Sequence, residues 1–158
     1  MESTWQGTVL LADLRRDASR LYQTAGPTRA LQAIQECVAM LERAAWEGGA
    51  TFVRATGDEV MALFPAAAAA ADAASAMQLA AEALPTIGST KLGVRIAFQS
   101  GPVMVRNGDV LGDTVSLTAR LIEEAQKEQI LTSRDTAAVL GHNYRNRMRT
   151  VRPTQALD

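Results

Sequence analysis

The order of apolar patterns along this chain predicts an α+β domain built on a ferredoxin-like βαββαβ core. Three observations carry that prediction. A short apolar run, Thr8 to Ala12, leads into a long amphipathic stripe; two strand-like runs then flank a Gly-Asp turn; and an alanine-rich helical stretch precedes a segment whose apolar residues alternate. Such an order builds one sheet with its helices on one face, and the remaining patterns add C-terminal helices and a strand.

Thr8-Val9-Leu10-Leu11-Ala12 begins with a β-branched residue and runs into Asp13, so it reads as a central strand with an acid at its tip. From Arg29 to Glu47, residues Leu31, Ile34, Val38, Leu41 and Ala45 fall on one helical stripe, and Gly48-Gly49 supplies the stop. Ala50 to Ala55 and Val60 to Phe64 flank Thr56-Gly57-Asp58-Glu59, the pattern of a β-hairpin. Pro65 opens a helix to about Leu84, with Ala70, Ala74, Met77, Ala81 and Leu84 on one face. Lys91 to Ser100 alternates, with Leu92, Val94, Ile96 and Phe98 on one side and Lys91, Arg95 and Gln99 on the other, as a half-buried strand does. Pro102 to Arg106 reads as a second short strand, Asn107-Gly108 as a tight turn, and a helix is expected from Asp113 or Thr114 to about Gln126. Gln129 to Thr132 and Arg134 to Leu140 give a last strand and helix. Residues 1–141 are thus read as one domain, and 142–158, Arg-rich and unpatterned with Pro153 opposing a helix, as a tail, a linker or a cut end.

Composition narrows the function classes. A chain of 158 residues, 47% apolar and 21% charged, is long enough to bury a core without staples. Its net charge of −1 lacks the basic excess that nucleic acid or an anionic membrane surface calls for, so neither is an expected partner. One cysteine, Cys37, excludes an internal disulfide and a multi-cysteine zinc site; it is expected in the core. The stretch Ala66 to Ala76 is interrupted by Asp72 and makes a poor membrane span, and a cytoplasmic location is expected. Trp5 and Trp46 are read as packing or interface anchors, and His142, remote in sequence from every motif, is assigned no role.

Asp13 ends the first strand and Asp58 sits at the tip of the hairpin. In a βαββαβ sheet these elements are neighbours, so the two carboxylates can converge on a hard divalent cation, which needs only one or two protein acids beside water and phosphate oxygens. Turn chemistry alone also explains an Asp at each place.

Several separated blocks resemble the class III adenylate and guanylate cyclases: Leu11-Ala12-Asp13-Leu14, Gly48-Gly49-Ala50-Thr51, Thr56-Gly57-Asp58-Glu59-Val60-Met61-Ala62-Leu63-Phe64, Gly101-Pro102-Val103, and Gly112-Asp113-Thr114-Val115-Ser116-Leu117-Thr118-Ala119-Arg120-Leu121. The likeness runs from about Thr8 to Leu140 and implies the class III cyclase fold. It further implies a homodimer with nucleotide sites at the interface, two Mg2+ or Mn2+ ions, and conversion of a nucleoside triphosphate, most readily ATP, to a 3′,5′-cyclic nucleotide and pyrophosphate. By that resemblance Asp13 and Asp58 are the metal ligands, with the backbone carbonyl of Leu14 a further one; Arg54 and Asp109 read the base; Arg120 stabilises the transition state and Ser116 orients the ribose.

This chain departs from the family pattern in places. Arg54 stands where purine-specific members carry lysine, and Ser116 where active members carry asparagine. Arg15-Arg16-Asp17 replaces the glycine and aromatic that follow the first aspartate, so Arg15 and Arg16 are read as holding phosphates by charge. The connection from Val105 to Asp109 is short, and no final sheet hairpin is recognisable. The other reading kept open by these departures is a catalytically degenerate cyclase-like module that binds nucleotide or a protein partner. A diguanylate-cyclase-like enzyme is disfavoured, because the central hairpin lacks a GG[DE]EF-type signature.

Overall fold

The computed structural model describes residues 3–149 and 151. Six strands form one sheet: β1 (Ser3–Asp13), β2 (Phe52–Thr56), β3 (Glu59–Phe64), β4 (Arg95–Arg106), β5 (Asp109–Leu111) and β6 (Ile130–Thr132). The antiparallel order is β2-β3-β1-β4-β5, and β6 joins β4 in parallel. The central pair β1 and β4 is the longest, running in register from Ser3↔Val105 to Asp13↔Arg95. The predicted core topology is therefore present.

Helices α1 (Arg15–Ala25), α2 (Pro27–Glu47) and α3 (Ala67–Glu82) cover one face of the sheet, and α4 (Asp113–Ile122) the other. The alternation along β1 decides which residues go where: Leu10 and Ala12 join the core beneath α1 to α3, while Val9 and Leu11 join a smaller core with Leu121 and Ile122 of α4. Along α3 the buried stripe is almost wholly alanine, which lets the helix lie close on the strands. Cys37 is fully buried in α2, and burial pushes its thiol pKa up from 9.0 to about 11.

Several expectations need correction. The residues after Asp13, for which no helix was expected, form α1: Leu14, Ala18 and Leu21 are buried at helical spacing and anchor it, with the charged Arg16 outside. The core helices α1 to α3 lie on one face as expected, and the added C-terminal helix α4, for which no face was predicted, packs on the other. Lys91 to Ser100 and Pro102 to Arg106 are not two strands; β4 is continuous from Arg95, and residues 91–94 lack strand pairing. Pro102 falls between the parts of β4 that pair with β6 and with β5. Leu31 is exposed and off the buried stripe of α2, whose place is taken by Ala30 and Cys37. Helix α4 stops at Ile122 rather than near Gln126. Beyond α5 (Arg134–Ala138), the segment expected to be unpatterned contains a short helix, α6 (His142–Arg145), tied to α3 by a hydrogen bond from Tyr144 Oη to Asp72 (3.0 Å). Pro153 lies outside the described residues.

Candidate active site

The ends of β1 and β4 and the β2–β3 turn meet at one edge of the molecule. Asp13 is flanked in the sheet by Glu59 on one side and Arg95 on the other. Next to it, the Leu14 N–H donates to the backbone carbonyl of Asp58 (3.3 Å), so the strand register sets the end of β1 against the turn that carries Asp58. Asp58 is half-buried in the turn, whereas Asp13 is only 1% exposed. The Leu14 carbonyl accepts the Ala18 N–H (2.8 Å) and starts α1; one lone pair of that expected ligand is thereby committed.

Asp13 is held by a residue that sequence reading assigned to the polar side of a strand. Arg95 Nε donates to Asp13 Oδ1 (2.8 Å) and its NH2 to Oδ2 (3.2 Å), and the same NH2 donates to Glu123 Oε2 (2.7 Å) just past the end of α4. Burial by itself lowers the arginine pKa, but the hydrogen bonds and charges of Asp13 and Glu123 outweigh it and raise the value, so the guanidinium stays cationic. The signal available in sequence was Arg95 flanked by apolar Val94 and Ile96 in the segment destined to pair with Asp13. Spacing along the chain gives no hint of Glu123.

The first turn of α1 borders this place. Asp17, nearly buried, accepts from the Gly93 N–H (2.7 Å) and pairs with Lys127 Nζ (3.1 Å), which also donates to the Lys91 carbonyl (3.0 Å). Asp17 thus pins α1 to the two loops that precede β4 and β6. Arg16 is exposed and lines an open depression with Glu123, Glu124 and Lys127. The Arg15 side chain lies outside the described residues.

Arg54 and Asp109 come from opposite ends of the strand order, yet they form an ion pair, because the sheet curls to bring the β4–β5 hairpin over β2. That hairpin turns through Asn107 and Gly108, both at positive φ, as a tight two-residue connection requires. Asp109 Oδ1 also accepts the Val110 N–H (2.9 Å), which fixes the carboxylate.

On α4, Thr114 and Thr118 face inward. Thr114 Oγ1 donates to the Pro102 carbonyl (2.7 Å) and sits so close to Gly101 that a Cβ there would meet it at 2.4 Å. Clamped in this way, the helix turns Ser116 and Arg120 outward together, beside the exposed Leu117. His142 is exposed.

Oxygen donors of Asp13 and Asp58 are the chemistry a magnesium-type ion accepts, and two acids are enough when substrate supplies the rest. Among the described residues no group of three or more His, Cys, Asp or Glu is arranged for a metal.

A family model for the adenylate and guanylate cyclase catalytic domain matches residues 1–154. The chain belongs to that family. Solved structures of cyclases share the fold. The adenylyl cyclase CyaB from P. aeruginosa is 21% identical with a TM-score of 0.74, covering 87% of this chain and 81% of its own. The guanylyl cyclase Cya2 is 24% identical with a TM-score of 0.75, covering 99% and 89%. The monomeric guanylyl cyclase domain of the RhoGC fusion protein from the aquatic fungus Blastocladiella emersonii is 21% identical with a TM-score of 0.76, covering 87% and 86%. Curated proteins yield no significant match. In this cyclase-family domain the residues singled out by motif thus fall into three groups: Asp13 with Asp58, Arg54 with Asp109, and Ser116 with Arg120. Among the described residues no helix is long and apolar enough to cross a membrane.

Proposed function

We propose that the domain is a nucleotidyl cyclase that converts a nucleoside triphosphate, most readily ATP, to its 3′,5′-cyclic monophosphate and pyrophosphate at the interface of a homodimer. The observation that supports this reading is the backbone contact that sets the turn carrying Asp58 beside Asp13 and Leu14 at one end of the sheet, in a chain of the adenylate and guanylate cyclase family. Asp13 and Asp58 would hold Mg2+ or Mn2+, which supplies charge neutralisation to the triphosphate and lowers the pKa of the attacking hydroxyl.

The protein's own groups do the remaining work. Arg120 of one protomer lays its guanidinium against the α-phosphate of a nucleotide bound at its partner's aspartates, where negative charge grows as the ribose 3′-oxygen attacks and the bond to pyrophosphate breaks. Ser116, one turn earlier on the same face, holds the ribose through its hydroxyl, directly or through water. Arg54 and Asp109 present a donor beside an acceptor, the pattern that the adenine Watson–Crick edge complements. Arg16, and by its place in sequence Arg15, adds positive charge near the phosphates.

Product analysis tests this reading. Concentrated protein with Mn2+ and each of ATP, GTP, CTP and UTP is expected to yield a cyclic nucleotide from one or more of them, and Asp58→Ala to yield none. Nucleotide binding without any product would instead establish the degenerate, regulatory reading.

A further inference from the structure

We propose that Arg95 is an internal cation that masks Asp13, and that Glu123 is its second berth: a divalent ion gains Asp13 only by driving the guanidinium over to Glu123. The proposal rests on reading Asp13 as a metal ligand.

Three features of the pair lead to it. Both Asp13 oxygens accept from Arg95, with Nε on one and NH2 on the other, so the carboxylate is charge-neutralised on the side where β4 lies. The pair is deeply buried, at 1% and 8% side-chain exposure, where solvent weakens it little. An arginine cannot vacate the site by losing its proton, so the only way it can yield to another cation is to move. A place to move already exists, because NH2 is shared, and its contact with Glu123 (2.7 Å) is shorter than that with Asp13 (3.2 Å). Glu123 lies past the last turn of α4 with more than half of its side chain exposed, so it can follow the guanidinium outward. Once Arg95 has gone, the Asp13 carboxylate has lost two charge-assisted hydrogen bonds in a place that water barely reaches, and a divalent ion can supply that positive charge in their stead. Metal affinity in the free protein is therefore set by competition with Arg95, and the end of the helix that carries Ser116 and Arg120 is mechanically joined to that competition through Glu123.

The test is Mn2+ binding to the full chain without nucleotide, followed by the electron paramagnetic resonance signal of the free ion. Circular dichroism melts verify that each variant is folded. Arg95→Met is expected to bind Mn2+ about tenfold more tightly than wild type, a difference of roughly 1.4 kcal/mol. Arg16→Met, which removes an equal charge from the same depression, is expected to change affinity about threefold at most. Glu123→Gln, which removes the second berth, is expected to weaken binding about threefold relative to Glu124→Gln, its charge-matched neighbour. Equal affinity of Arg95→Met and Arg16→Met would overturn the proposal. Should Arg95→Met not fold, equality of Glu123→Gln and Glu124→Gln would overturn it. Absence of Mn2+ binding in every variant up to millimolar concentration would remove the metal reading of Asp13 along with the mask, whereas tight binding that ignores Arg95 removes the mask alone.

Discussion

Asp13 and Arg95 meet at the end of the two central strands with side chains 1% and 8% exposed, while Asp109 and Arg54 meet across the curled sheet with 39% and 46% of theirs in solvent. The chemistry of the two pairs is the same and the setting differs. In the buried pair, truncating one partner leaves a charge that water barely reaches and that only other protein groups, such as Glu123 for Arg95, can meet. In the exposed pair water and salt can replace either partner, so the interaction contributes little to folding and both groups can be turned toward a ligand at small cost. A fold can thus use one residue pair to build its site and another to read what enters it.

Removing one member of each pair should expose the contrast most sharply. Asp13→Ala is expected to lower the unfolding free energy by about 3 kcal/mol, the lower end for a broken buried pair because Glu123 still holds Arg95, whereas Asp109→Ala should cost about 1 kcal/mol or less. Urea denaturation measures both, and equal losses would erase the distinction between the pairs. A third arginine sharpens it from the side of function. Arg120→Ala, on the exposed face of α4, should cost about 1 kcal/mol of stability or less and reduce turnover about a hundredfold, as loss of one transition-state donor does. A parallel loss of stability would mean that Arg120 serves the fold instead.

Cys37 shows what burial does to a titrating group without an ionic partner. Its pKa, raised by burial from 9.0 to about 11, means that the folded state favours the protonated thiol. The resulting stabilisation, on the order of 2 kcal/mol, is fully present below pH 9 and is lost as pH rises through 9 to about 11. Denaturation midpoints compared between wild type and Cys37→Ala across that range should converge as the pH climbs. The smallest effect on stability belongs to Arg54→Ala, within about 0.5 kcal/mol of wild type, with a rise in KM for the preferred nucleotide and little change in kcat. A fall in kcat at unchanged KM would place Arg54 in the chemistry and not in base recognition.

Much of this architecture was legible from periodicity. The stripes of α2 and α3, the hairpin around Gly57-Asp58 and the alternation of Leu92, Val94, Ile96 and Phe98 each correspond to buried surface. Alternation failed at Arg95 for a physical reason. A period of two separates the faces of a strand but does not say which face is wet, and α4 covers the side on which Arg95 lies. The same covering hides Glu123, whose role depends on where α4 ends. Helix α1 is poorly marked in the sequence because the charged Arg15-Arg16-Asp17 interrupts the apolar stripe of Leu14, Ala18 and Leu21 that sets its helical period. The backbone contact between the end of β1 and the turn that carries Asp58 was foreseeable from the order of the strands. The ion pair of Arg54 with Asp109 required the curl of the sheet, which no local pattern encodes.

The central claim, a site shared between two protomers, is tested most directly by mixing two inactive variants. Asp58→Ala lacks a metal ligand and Arg120→Ala lacks the transition-state arginine. In an equimolar mixture half the dimers would carry one intact site of two, so cyclic-nucleotide formation should return to about a quarter of the wild-type rate. A mixture as inactive as its components, from proteins shown to exchange subunits, would contradict the shared site.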